Sequence, residues 1–201
     1  MAASLVSFLA ILNPFALCLY LVHLMEDLTS REFVNSLFRA TLISFCTFAV
    51  FSLAGEKLLI DFLGVQPTAL RIFGGLIFLS VGYSYATKGY RASELLRGSL
   101  DDVSSAIALP FMIGAGTVTQ SILLGKKHGT NAVAIIAMAL IVTLAIVLLF
   151  KYTKDQLQKT RENVFERYVN ILARMNGLVI GAISIEMILR GTREMLIIPQ
   201  P

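Results

Sequence analysis

Tryptophan is absent from this chain, and cysteine and histidine occur only twice each. Cys18 and Cys46 both lie deep in apolar runs, where a small polarisable side chain packs readily, so a disulfide framework has no support. His23 and His128 fall at the ends of such runs, with neither metal-ligand spacing nor triad partners, and Glu186 is the one carboxylate well inside a run. That scarcity argues against an intramembrane enzyme and against a metal site. Charge is sparse at 15% of residues, and the excess of +4 comes from Lys and Arg in short loops between apolar stretches. This is the positive-inside bias of a membrane protein, and a nucleic-acid role is rejected. No Lys or Arg precedes the first apolar run and Asn13-Pro14 interrupts it, so a retained first helix is expected rather than a cleaved signal peptide.

What the chain does have is apolar length. Hydrophobic residues make up 56% of it and its mean hydropathy is +0.76, which defines an all-α integral membrane protein in one transmembrane domain, 1–201. Six stretches approach the ~20 residues that a bilayer requires, at roughly 4–25, 38–58, 69–87, 103–124, 131–152 and 168–190. The second is the weakest, because Gly55-Glu56-Lys57 cuts it short; Thr29 and Glu32 have capping-box spacing, so its helix should begin in water near Ser30. Loops one, three and five carry Arg31, Arg39, Lys88, Arg91, Arg97, Lys151, Lys154, Lys159, Arg161 and Arg167. The other side carries Lys57, Lys126, Lys127, Arg190 and Arg193. Ten against five places the odd loops in the cytoplasm and both termini outside. With no tryptophan available, Tyr20, Tyr83, Tyr85, Tyr90, Tyr152 and Tyr168 are expected to form the inner aromatic belt.

Two of the runs contain helix breakers near mid-membrane. Pro14 leaves the carbonyl of Ala10 without its helical partner and Pro110 does the same to Ala106, while Gly114 and Gly116 let the backbone leave helical geometry cheaply. Irregular backbone at that depth is tolerated only where it is buried in protein or lines a cavity, so both breaks mark a candidate site. The halves also resemble each other. Leu12-Asn13-Pro14-Phe15 parallels Ala108-Leu109-Pro110-Phe111, and Arg71-Ile72-Phe73-Gly74 parallels Arg174-Met175-Asn176-Gly177. Three spans per half is an odd number, so the second copy (about 103–191) would insert upside down relative to the first (about 4–89). The expectation is six transmembrane helices as two inverted three-helix repeats, with helices 1 and 4 broken.

Two half-helices meeting at mid-membrane offer N–H donors beside free carbonyls, and an amino-acid zwitterion needs both. The candidate substrate-binding residues are Asn13, Pro14, Phe15, Pro110, Gly114, Ala115, Gly116, Thr117 and Gln120, with Thr119 beside them. The backbone of Gly114, Gly116 and Thr117, with the Thr117 hydroxyl, is assigned to a carboxylate, and Asn13 to an ammonium or to holding the two breaks together. Small residues there leave room only for a small side chain. Gly74, Gly75, Gly177 and Gly181 read as helix-packing or gating positions. Arg71 and Arg174 lie about one turn inside their helices, where snorkelling is the expectation. Glu186 is a candidate for proton coupling, although Arg190 stands at ion-pair spacing from it. Asp101 and Asp102 read as a solvated loop end. No set of ligands identifies Na⁺ or H⁺ as a coupling ion, no other cofactor is expected, and association into a homo-oligomer is left open.

Leu12-Asn13-Pro14, Arg71-Ile72-Phe73-Gly74-Gly75, Leu109-Pro110 and Gly114-Ala115-Gly116-Thr117 together resemble the MarC family of six-span membrane proteins, also grouped as neutral amino-acid transporters. The family's last motif is usually Gly-Pro-Gly-Thr; Ala115 stands here in place of proline, so the second break should be softer. The resemblance implies a prokaryotic inner-membrane protein, embedded in lipid with both termini outside, that moves small neutral amino acids such as glycine and alanine. Export of another small metabolite or a drug is the alternative, and an intramembrane enzyme or a scaffold ranks below it.

Overall fold

The computed structural model describes residues 1–62, 64–89, 92, 112–158 and 162–197. In chain order the helices are α1 (Ala2–Leu12), α2 (Pro14–Asp27), α3 (Ser30–Lys57), α4 (Pro67–Lys88), α5 (Ala115–His128), α6 (Asn131–Gln158) and α7 (Glu162–Ile197), with a π-helical turn, Leu58–Phe62, after α3. Among the described residues there is no strand.

Among the described residues, five helical stretches are long and apolar enough to cross a bilayer: Ala2–Val22, Ser30–Gly55, Pro67–Lys88, Asn131–Gln156 and Arg167–Leu196. The expected span at 103–124 is only partly described: Pro110, with Leu109, Phe111, Asp101 and Asp102, lies outside the described residues, and α5 supplies its second part. Large apolar side chains face outward on the long helices, among them Phe38 and Leu42 on α3, Ile141 and Leu149 on α6 and Leu178 on α7. In water such a surface would aggregate; in lipid it is the solvated face.

Helix starts follow local chemistry. Proline occupies the first turn of both α2 and α4, where its missing N–H costs nothing. The capping box that opens α3 is formed: the Thr29 N–H donates to Glu32 Oε2 at 3.0 Å and the Glu32 N–H to Thr29 Oγ1 at 3.4 Å. Near its other end α3 kinks at Gly55 (φ 64°, ψ −150°), a conformation that side chains disfavour.

The helices pack in two groups around two hydrophobic cores, joined by a contact of α4 with α5 as extensive as those of α1 and α2 with α6. In the first, α3 lies against α5 and α6, and α1 and α2 against α6. Its core joins Phe8, Leu12, Leu17, Leu21, Phe33, Phe48 and Ile136, with the Phe8 and Phe48 rings edge to face at 5.5 Å. Close backbone approach also holds this group: a Cβ at Gly125 of α5 would collide with the carbonyl of Ser52 in α3. The second group is the antiparallel pair α4 and α7, which share the most extensive helix contact in the molecule's described part. Along its seam Thr68, Gly75, Gly82 and Gly89 meet Gly191, Ser184, Gly177 and Asn170. Each series advances by seven residues, the period that keeps one helical stripe facing its partner.

The tyrosine belt is only partly as expected. Tyr83, Tyr152 and Tyr168 are exposed, but Tyr85 is buried in the core between α2, α4 and α7, and Tyr20 in the core that α1, α2, α3, α5 and α6 share. Helical phase is the reason: Tyr85 lies on the stripe of α4 that faces α7, and Tyr83 points away from it. Tyr90 lies outside the described residues. Two loop cations are also structural. Lys154 is buried and bridges to Glu26 at 3.2 Å, and Lys151 pairs with Asp155 at 3.2 Å while lying 5.4 Å from the centre of the Phe33 ring.

Candidate functional site

Among the described residues, Asn13 is the one non-glycine residue with positive φ (φ 45°, ψ 73°). Asparagine tolerates this region better than most side chains, because its short amide can bond locally. Here it does: Oδ1 accepts from the Ala16 N–H at 3.1 Å and caps α2, while the Asn13 N–H still closes α1 onto the Leu9 carbonyl at 2.9 Å. The other end of the amide crosses to α7, where Nδ2 donates to Asn176 Oδ1 at 3.3 Å. Asn176 Nδ2 is buried with no hydrogen-bond partner among the described residues. Asn13 also borders a chamber of about 30 Å³, walled by Ile11, Leu17, Ile77, Phe78 and Ile180. It has room for roughly one water or one methyl group. Pro14 is buried and Phe15 is 70% exposed, and neither lines the chamber.

At the start of α5 the backbone is closed by a threonine. The Gly114 N–H donates to Thr117 Oγ1 at 2.9 Å, and that hydroxyl lies 2.9 Å from the carbonyls of both Met112 and Gly114. The Gly114 N–H and the Thr117 hydroxyl, expected to face a carboxylate, are thus engaged with each other inside the turn. Thr117→Val is expected to leave the Gly114 N–H unpaired and to cost about 1–3 kcal/mol, with Thr117→Ser close to wild type; thermal unfolding in detergent reads both.

Gly116 is different, because it opens onto a cavity of about 530 Å³ between α1, α4, α5 and α7. A Cβ there would approach Met187 Cε at 2.9 Å and Ile11 Cγ2 at 3.5 Å, so the missing side chain is part of the cavity's shape. Thr119 and Gln120 line the same space, and Gln120 Nε2 donates to Ser7 Oγ at 3.3 Å. Ala115 packs instead against α4: a Cβ on Gly74 would sit 2.5 Å from Ala115 Cβ. Gly75 and Gly177 lie in the α4–α7 seam, while a Cβ on Gly181 would meet nothing within 4 Å.

The cavity is charged at its mouth. Glu186 and Arg190 pair at 2.6 Å, as their spacing predicts. Arg71 does not extend freely to an interface but bonds Glu194 of α7 through Nη1 at 2.5 Å. Arg174, which the sequence motif sets parallel to Arg71, donates to the Ala86 carbonyl at 3.3 Å. A second cavity of about 500 Å³ shares Arg71, Thr119, Leu123 and Glu194 and continues to Gln66 and Lys126. Among the described residues no group of His, Cys, Asp or Glu could hold a metal ion. Asn176, Met187 and Glu194 were not singled out by sequence. Asn176 stood inside the Arg174–Gly177 motif, and Glu194 fell past the expected end of the last span.

These features define a class: a multi-pass α-helical membrane protein whose polar cavities lie where two helical groups meet. Within that class the chain belongs to the MarC family integral membrane proteins, whose sequence pattern matches residues 1–196. A UPF0056 membrane protein of Pyrococcus horikoshii is 26% identical over 186 residues, covering 91% of this chain and 88% of its own. The UPF0056 membrane protein YvbG of Bacillus subtilis is 24% identical over 204 residues, covering 94% and 92%. One from Archaeoglobus fulgidus is 28% identical over 170 residues, covering 79% and 76%. No solved structure matches the chain.

Proposed function

We propose that this chain is a secondary transporter, and not an enzyme, that moves small neutral amino acids such as glycine and alanine across a prokaryotic cell membrane by alternating access. In this reading six spans form two inverted repeats, the odd loops are cytoplasmic and both termini are outside. The observation that carries the proposal is where the cavities lie. The Asn13 chamber and both larger cavities are walled by α4 or α7 on one side and by α1, α2 or α5 on the other. Rocking of one group against the other would therefore open and close the same space, which is how inverted-repeat transporters work.

Substrate size and chemistry follow from the walls. The 30 Å³ chamber admits a hydrogen or a methyl side chain and excludes an isobutyl group. The unpartnered Asn176 Nδ2 and the Asn13 amide supply donors for a carboxylate, taking over the role assigned from sequence to Gly114 and the Thr117 hydroxyl. The test is ligand-dependent stability of the purified chain. Glycine and alanine should raise its Tm in a concentration-dependent way, by linkage, and leucine should not. No shift with any neutral amino acid would contradict the proposal.

A further inference from the structure

We propose that the Arg71–Glu194 ion pair is a clasp that opens to admit a zwitterion at the cavity mouth, with Arg71 taking the carboxylate and Glu194 the ammonium. This inference rests on the amino-acid reading above and concerns a second site, outside the central one.

Three observations support it. First, Glu186, Arg190 and Glu194 follow one another at four-residue intervals on α7, so they share one helix face, and Arg71 meets that face from α4. All four line the 530 Å³ cavity. Within this cavity two carboxylates and two guanidinium groups balance, which favours a solute carrying one charge of each sign over a net anion or cation. Second, the pair is asymmetric. The Arg71 side chain is 13% exposed, whereas that of Glu194 is 48% exposed, so the carboxylate is the partner with solvent to move into. Glu186 engages Arg190 through Nε at 2.6 Å, so the second guanidinium at the mouth already has a carboxylate of its own. Third, Glu186 and Arg190 are exposed although they lie within the candidate span Arg167–Leu196. Charged side chains toward the end of a span face water or a polar cavity in preference to lipid, which favours a hydrated mouth. A zwitterion entering it replaces one direct ion pair by two charge-assisted contacts in series without changing the net charge.

The test uses the full chain purified in detergent and three probes: glycine, glycinamide, which lacks the carboxylate, and acetate, which lacks the ammonium. Glycine should bind wild type at least about tenfold more tightly than either fragment, the size of one charge-assisted hydrogen bond. Arg71→Gln should weaken glycine and acetate by about tenfold and leave glycinamide unchanged. Glu194→Gln should weaken glycine and glycinamide while tightening acetate, because the internal competitor for Arg71 is gone. This crossed pattern does not arise from a merely structural ion pair. If both substitutions weaken all three probes alike, or neither weakens glycine, the clasp is overturned and amino-acid transport still stands. Should the variants fail to fold, wild type that binds glycinamide as tightly as glycine overturns it. Wild type that binds no neutral amino acid overturns both the clasp and the transport reading.

Discussion

Gly177→Val is expected to destabilise the protein by about 3 kcal/mol, the upper range for overpacking, and to leave little monodisperse material after extraction. A Cβ at Gly177 would lie 2.5 Å from the Ala86 nitrogen and 2.9 Å from the Gly82 carbonyl oxygen. These are backbone atoms, so relief requires the whole of α4 to move away from α7. That separation would loosen every contact along the seam from Thr68 to Gly89, because small residues at seven-residue intervals there are what let the two backbones touch. Gly181→Ala is the matched control, since its Cβ would meet nothing within 4 Å. Thermal unfolding of both variants in one detergent checks the contrast, and equal melting temperatures would contradict the packing described here.

Gly116→Val is expected to do the opposite: retain the fold and lose about a hundredfold in glycine affinity. The atoms in the way are Met187 Cε and Sδ and Ile11 Cγ2, all in side chains, and methionine rearranges at little cost. The isopropyl group then occupies the floor of the cavity where the substrate is to sit. Isothermal titration of a variant with wild-type Tm reads this directly. Unchanged affinity would move the binding site away from α5.

The contrast between these glycines marks what sequence can and cannot give. Composition and apolar length suffice for a multi-span helical membrane protein, and Thr29 with Glu32 locates the start of α3, because both signals are local. The four glycines singled out at Gly74, Gly75, Gly177 and Gly181 look alike in sequence, yet a Cβ is barred at three of them and free at the fourth. What separates them is the rotation of α4 against α7, a tertiary quantity. The same holds for Tyr85, two residues from exposed Tyr83 and wholly buried. At the site, Asn13 and Gly116 were legible as breakers in apolar runs. The partners that give them chemistry, Asn176 and Met187, are 163 residues from Asn13 and on a different helix from Gly116. Arg71 read as a snorkelling side chain because its partner Glu194, 123 residues on, falls outside the apolar run that defined the last span.

The most direct test of the central claim is counterflow of labelled glycine and alanine in proteoliposomes loaded with the unlabelled amino acid, run beside empty liposomes and an Asn13→Ala variant. It requires no knowledge of the coupling ion. The account predicts uptake that depends on internal amino acid and is lost when the Asn13 side chain can no longer cap α2 and reach Asn176. Absence of exchange for every neutral amino acid, from folded wild-type protein, would contradict it.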